Sequence, residues 1–390
     1  MRKAIAILLI LVMMFSTSLA VSGENDINNG AEIETALKCD DAKSAVLMEA
    51  ATGEIIFSKN EDMRLIPASV TKIMTLLLTA EAIANGTVAL TDEVKISAFA
   101  ASMGGSQVFL KEGEIMSVED LLKCTVIASA NDAAVALAEL VAGSEEEFVA
   151  KMNQRAEELQ MKNTTFENVT GLDDTTKNHL TSSMDIAIMS RELIKHEIIL
   201  KYSSIWQDTI RDGQFTLTNT NRLVRFYDGC NGLKTGSTSK AGYCMSATAK
   251  RGDMQLIAVI MGAETRDKRN EAARNLLDYG FANYGIYNSD EGEVENINVK
   301  FGNKDSVMLY EEKFSKLLSK ADISKVEKVY TFPDTITAPI KSEDQIGKVE
   351  YVLDGKTIGE TKIFARESVE KLSFLELFIR IVTDVFVPEN

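Results

Sequence analysis

Three short runs in this chain carry residue types that can move an acyl group: Ser69-Val70-Thr71-Lys72, Ser129-Ala130-Asn131 and Lys234-Thr235-Gly236. On a helix, positions i and i+3 share a face, so a helix opening after Pro67 brings the Lys72 amine beside the Ser69 hydroxyl. A serine hydroxyl is a weak nucleophile until a neighbour takes its proton, and a lysine can take it only when neutral. A second cation disfavours the charged form of the first, and Lys234 is the candidate to depress Lys72. Ser129 can relay a proton toward a leaving amine, and Asn131 has donors and an acceptor for a substrate amide and for the Lys72 side chain. The backbone N–H of Ser69 at a helix start, with that of Ser237 after Gly236, would form an oxyanion hole. Gly236 would let a substrate backbone come close to the strand edge, with Thr235 beside it.

The alternative base is histidine, and the sequence argues against it. Only His179 and His196 occur, and neither lies near a Gly-x-Ser-x-Gly elbow. Neither has a second ligand at metal spacing, so neither a zinc site nor any other metal or cofactor is expected.

Each run is weak alone. The first pattern recurs at Ser237-Thr-Ser-Lys240 and Ser368-Val-Glu-Lys371, and the second at Ser58-Lys59-Asn60. Taken singly, Ser69 is an ordinary helix cap, Ser129 and Asn131 are turn formers, and Lys234-Thr235-Gly236 is a surface turn. Order, separation and local context single out the set, and the elements around it supply that context. Ser44-Ala-Val-Leu-Met-Glu49 and Glu54-Ile-Ile-Phe-Ser58 read as a hairpin. After Pro67, Val70, Ile73, Met74, Leu77, Leu78 and Ile83 recur at helical spacing until Asn85-Gly86. A second helix opens at Ser117, which can cap with Asp120, and runs to Ala128. Asp132 can cap the next, over residues 133–141, which leaves Ser129-Ala130-Asn131 in the connection. Helices follow over residues 146–159, 184–196 and 269–284, and strands over 243–250 and 254–261 about the turn Arg251-Gly252-Asp253. Lys234-Thr235-Gly236 is expected to precede a strand. A sheet built from both ends of a domain, with helices inserted between, fits this order: an α/β (α+β) domain over residues 39–287. Residues 288–366 read as a smaller β-rich domain, with strands at Ser306-Val-Met-Leu-Tyr310 and at Val349-Glu-Tyr-Val-Leu353, turning at Asp354-Gly355.

The two ends address location. Arg2 and Lys3 precede an apolar run over residues 4–15 and then Ser18-Leu19-Ala20, the pattern of a secretory signal cleaved after Ala20. The run is shorter than the roughly 20 residues that a bilayer core requires. Residues 21–38 read as a loose, acidic lead-in. At the other end, residues 368–387 concentrate Leu372, Leu375, Phe378, Ile379, Val382, Val385 and Phe386 on one face, with Glu376, Arg380 and Asp384 at i, i+4. Such a helix is expected to lie in a membrane surface rather than span it; a dock on protein is the other reading. The formal net charge is −16, and losing Arg2 and Lys3 takes it to about −18, which repels phosphate backbones and excludes nucleic acid as an expected partner. Four cysteines, Cys39, Cys124, Cys230 and Cys244, suffice for two disulfides; free buried thiols are the other reading.

The ordered triple resembles the active-site signature of serine penicillin-recognising enzymes. The surroundings extend the match. Ile66-Pro-Ala-Ser-Val-Thr-Lys-Ile73, Ser129-Ala-Asn-Asp-Ala133, Asn163-Thr-Thr-Phe166 with Gly171-Leu-Asp173, and Gly232-Leu-Lys-Thr-Gly-Ser-Thr238 with Ala241-Gly-Tyr243 resemble the D-alanyl-D-alanine carboxypeptidases among the low-molecular-mass penicillin-binding proteins. The resemblance is close over residues 42–284 and looser beyond. It implies a β-lactamase/transpeptidase-like catalytic domain, followed by the β-rich domain and the terminal amphipathic helix. It implies release of the terminal D-alanine from the peptidoglycan stem peptide through an acyl-enzyme on Ser69, trapping by β-lactam antibiotics, and action at the outer face of the bacterial cytoplasmic membrane. A cation should receive the substrate carboxylate: Arg269 stands at the family's distance beyond Lys234-Thr235-Gly236, with Arg222 a neighbouring candidate. Residues 219–231 depart in length from the family pattern.

Three other readings compete. A class A β-lactamase needs a deacylating carboxylate in a Glu-x-x-Leu-Asn pattern, which Glu167-Asn168-Val169-Thr170 does not supply. A transpeptidase differs only in its acceptor. A pseudoenzyme that merely holds cell-wall peptide is disfavoured by intact Ser69, Lys72, Ser129 and Lys234.

Overall fold

The computed structural model describes residues 39–386 and divides into two compact units, with the division between Ala282 and Asn283. The secretory signal and the lead-in expected over residues 1–38 lie outside the described residues.

The first unit is built on a five-stranded sheet in the order Ile55–Lys59, Ser44–Glu49, Met254–Ala263, Gly242–Arg251, Cys230–Thr238, antiparallel throughout. Both ends of the unit therefore meet in one sheet, as the order of elements predicts. Ser44–Glu49 is buried at all six positions, as befits a central strand with helices on both faces. The helix Ser183–Leu193 covers one face: Ser183 and Ser190 reach Ser44 and Ser246 through hydroxyl pairs at 2.6 and 2.8 Å. The helix Arg266–Asn283 covers the other, and a Cβ at Gly280 would stand 2.6 Å from the Leu256 side chain.

The inserted helices pack around Lys72–Ala84, where Ile73, Met74, Leu76, Leu77 and Ala80 are buried on several sides. This helix ends at Asn85-Gly86, as read, with Gly86 at φ +77°. Ser117 caps Val118–Ile127 by accepting from the Asp120 N–H at 3.1 Å. Asp132 does not cap the next helix. That helix starts earlier, as Asn131–Ala142 with Ala130 at the N-cap, and the buried Asp132 carboxylate, now inside the first turn, accepts from the Ala133 N–H at 2.9 Å and also from the N–H groups of Val108 and Leu110 at 3.1 and 3.0 Å. The side chain is worth more there, where it pins a loop that has no ladder of its own.

Two further local readings change. Ser69 lies in a 3-10 turn, Ala68–Thr71, that leads into the α-helix, and Ala68 before it is left-handed at φ 49°. Lys234-Thr235-Gly236 sits inside the strand Cys230–Thr238 rather than ahead of one. Two glycines make this turn feasible. A Cβ on Gly171, itself at φ +82°, would lie 1.8 Å from the Ala68 carbonyl oxygen; one on Gly236 would lie 2.8 Å from the Ser69 nitrogen.

The second unit begins at Asn283, ahead of the boundary at Asn288, because Tyr284–Ser289 pairs with Phe314–Ser319 of the same unit. Its six-stranded sheet runs Glu327–Thr331, Gln345–Leu353, Lys356–Ala365, Ser306–Glu311, Gly292–Lys300, Thr335–Thr337, with only the last pair parallel. Asp354-Gly355 turns between two of these strands with both φ angles positive, as the sequence predicts. Val307, Leu309, Val349, Tyr351 and Ile363 form its core, over which the Phe314 ring stacks on Tyr351 at 3.9 Å.

The terminal helix is shorter than the expected 368–387. It spans Phe374–Phe386, because Val369 is buried and bridges to Ile340, and Leu372 N–H bonds to Phe301. Ser373 and Glu376 form a capping box at its start. Phe374, Leu375, Phe378, Ile379 and Ile381 are all more than half exposed. Among the described residues no helix is long and apolar enough to cross a membrane. All four cysteines are buried, and none forms a disulfide among the described residues.

Substituting Gly171→Ala is expected to cost more than about 2 kcal/mol, because it combines a left-handed backbone with a collision against backbone rather than a movable side chain. Urea unfolding measures this; an unchanged midpoint would show that the turn carrying Ser69 yields easily.

Candidate active site

A cavity of about 570 Å³ opens beside the sheet edge, and Ser69, Ser129, Thr235, Gly236, Ser237 and Arg269 all line it. Lys72 and Lys234 lie beneath its floor, each fully buried. Residues separated by more than a hundred positions are thus brought to one place, and two serine–lysine pairs result.

In the first pair, Lys72 Nζ is 3.0 Å from Ser69 Oγ and donates to the Thr170 carbonyl at 2.8 Å. Burial first, and then the charge of Lys234, holds the Lys72 amine well below the usual lysine range, while Asp132 opposes this. In the second, Lys234 Nζ donates to Ser129 Oγ at 2.7 Å and to the Thr235 carbonyl at 3.0 Å. Burial, with Arg269 adding repulsion, brings Lys234 down to about 7. Ser129 is held at φ 62° between two helices, a strained conformation for a non-glycine residue.

Thr235 donates its hydroxyl to Thr220, which shares the cavity wall. Arg269 is buried to 3 % exposure, bonds to Asn270 and to the Cys244 carbonyl, and presents itself to the cavity. Burial, with Arg266 and Arg222 nearby, lowers it to about 10. Asn131 is close by but does not hold Lys72: its amide nitrogen donates to the Gly104 carbonyl at 2.7 Å, and its buried Oδ1 has no partner among the described residues. The acceptor of Lys72 is the Thr170 carbonyl, a backbone atom that no motif flags. Gly236 serves the turn carrying Ser69, whose backbone fills the space a side chain there would need.

The sequence also hides His179. It is 2 % exposed, its Nδ1 accepts from the Glu167 N–H at 2.9 Å, and its Nε2 is 2.7 Å from Thr71 Oγ1. An Nδ1 that accepts a backbone N–H carries no proton, so Nε2 is the protonated atom and donates to Thr71. The loop over residues 167–171, which supplies the Thr170 carbonyl, is thereby tied to the helix that carries Lys72. Only the unusual scarcity of histidine in this chain hinted at a special position.

Burial depresses His179 from 6.5 to about 4. Between those values the unfolded chain binds the proton more readily than the folded one, so stability is present above 6.5 and falls as pH drops through that window, by up to about 3 kcal/mol. His179→Gln should lose this component while losing about 1 kcal/mol at pH 7. Urea midpoints of both proteins between pH 7 and 4.5 measure it, and parallel curves would remove His179 as the cause.

The family model described as D-alanyl-D-alanine carboxypeptidase matches residues 32–265, and that for the penicillin-binding protein 5 C-terminal domain matches residues 283–371. The D-alanyl-D-alanine carboxypeptidase DacF of Bacillus subtilis is 41 % identical, covering 98 % of this chain and 99 % of its own. DacC of Escherichia coli is 34 % identical over 86 % of each. Among solved structures, penicillin-binding protein 5 from Haemophilus influenzae superposes with a TM-score of 0.73 at 34 % identity, covering 85 % of this chain and 98 % of that one. The ampicillin-bound penicillin-binding protein D2 from Listeria monocytogenes gives 0.57 at 31 % identity, covering 62 % and 98 %. The chain therefore belongs to the D-alanyl-D-alanine carboxypeptidase family of penicillin-binding proteins and is a serine-type peptidase.

Proposed function

We propose that the chain releases the terminal D-alanine of peptidoglycan stem peptides through an acyl-enzyme on Ser69, and that penicillins acylate the same atom. The carrying observation is the Ser69–Lys72 pair at 3.0 Å, with an amine that burial and a second cation drive toward neutrality. In the neutral amine the Ser69 hydroxyl donates to the Nζ lone pair and transfers its proton there as Oγ attacks the penultimate D-alanyl carbonyl. The N–H groups of Ser69 and Ser237 receive the oxyanion. The proton taken up by Lys72 then passes through the Ser129 hydroxyl, held by Lys234, to the departing D-alanine amine, which leaves Lys72 neutral again, while Arg269 holds the carboxylate of the leaving D-alanine. Water then resolves the ester with the same base.

A lactamase reading lacks its deacylating group. No carboxylate lines the cavity, and both oxygens of Glu167 are engaged by the N–H groups of Lys177 and Asn178. This favours a long-lived penicilloyl ester.

The setting we infer is the outer face of the bacterial cytoplasmic membrane, where the protein acts in cell-wall synthesis and remodelling. The secretory pattern at the amino terminus and the exposed apolar side chains of Phe374, Leu375, Phe378, Ile379 and Ile381 support it.

Two experiments follow. Mass spectrometry after benzylpenicillin treatment should find one adduct, on the peptide containing Ser69, and Ser69→Ala should abolish both the adduct and D-alanine release; an adduct elsewhere overturns the assignment. Truncation should start after Ser373 rather than at Ser368, because Val369 belongs to the second unit's core. The truncated chain is expected to stay active and lose co-sedimentation with phosphatidylethanolamine/phosphatidylglycerol vesicles, and undiminished sedimentation would refute the anchor.

A further inference from the structure

The cavity that holds Ser69 carries a charge pattern at odds with the rest of the chain. Against a formal net charge of −16, its wall contains three arginines, Arg222, Arg266 and Arg269, and no aspartate or glutamate. Three arginines elsewhere in the first unit, Arg155, Arg211 and Arg251, are by contrast paired with Glu81, Glu114 and Asp228. Arg222 and Arg266 are exposed at the mouth, and neither makes an ion pair or side-chain hydrogen bond with the described residues. Both are close enough to Arg269 to repel it.

Their placement is costly in a second way. Arg266 opens the helix Arg266–Asn283, whose N-terminal end carries partial positive charge and disfavours a cation. The neighbouring cleft, which shares Arg222 and Phe226, has Asp267 and Glu271 beside Arg274, so its cations are balanced where those of the nucleophile's cavity are not. Like charges gathered on one wall, at the positive end of a helix, suit an anionic ligand.

We propose that Arg222 and Arg266 form a cationic rim that draws the carboxylate-terminated end of the acyl-D-alanyl-D-alanine substrate into the cavity, against the repulsion of an acidic protein, and delivers it to Arg269. The idea rests on the function proposed above and adds to it two residues that act on binding rather than on the chemical step. The rim works through charge at a distance, so salt screens it: the Debye length falls from about 30 Å at 0.01 M to about 10 Å at 0.1 M.

The test is the ionic-strength dependence of diacetyl-L-lysyl-D-alanyl-D-alanine hydrolysis by the full chain. For the wild type, KM is expected to rise about threefold or more between about 20 and 500 mM NaCl, with kcat unchanged. In the Arg222→Gln/Arg266→Gln double variant, KM at low salt should already be raised by that factor and should no longer respond to salt, again at unchanged kcat. Should the double variant fail to fold, Arg222→Gln alone, on an exposed side chain, should lose part of the salt response. A salt response equal in variant and wild type overturns the rim while leaving the function intact. Absence of D-alanine release by the wild type overturns the function, and the rim with it.

Discussion

Two buried ammonium groups set the terms for the whole catalytic unit. Lysine amines are strongly hydrated, and taking two of them out of water side by side is costly unless each finds oxygen partners and at least one sheds its charge. The fold supplies the oxygens: Ser69 and the Thr170 carbonyl for Lys72, Ser129 and the Thr235 carbonyl for Lys234. Burial is the first cause that lowers each amine, and the repulsion between the two is mutual, so the pair favours holding one charge rather than two. Solvation, ordinarily a penalty on burial, here becomes the source of basicity.

Much of the surrounding geometry exists to keep those amines where they are. Ala68 and Ser129, one on each side of the cavity, are both left-handed, and neither conformation is cheap for a residue with a Cβ. Gly171 and Gly236 clear the space that the strained turn occupies. Asp132 gives up a helix-capping position to pin Val108 and Leu110, and from the same buried place its charge tempers the depression of Lys72. His179 fastens the loop that contains Thr170. A change at any of these positions alters the base without touching it.

What the sequence revealed, and what it hid, follows the same division. Side chains that do chemistry directly, Ser69, Lys72, Ser129 and Lys234, stand out because their types and order are chemically specific. The hairpin, the Ser117 cap and the Asp354-Gly355 turn were legible because each rests on a local rule. The Thr170 carbonyl was not, since every residue has one and only tertiary packing selects it. Asp132 misled for a related reason: an aspartate one or two positions from a helix start satisfies the capping pattern, yet a distant loop offered it a more demanding partner. The Asn283 boundary escaped because strand pairing between residues 284–289 and 314–319 is non-local.

The four thiols carry a consequence of another kind. Cys39, Cys124, Cys230 and Cys244 are separately sunk in packed interior, and burial pushes the last three above the ordinary thiol range, so almost none of their sulfur exists as thiolate near neutrality. Cys244 stands directly across the ladder from Gly236, on the strand that backs the reactive edge. An oxidant or alkylating agent cannot reach Cys124, Cys230 or Cys244 until the elements that bury them come apart. Redox indifference is thus obtained through packing density rather than through cross-linking, and it lasts only as long as the native state does.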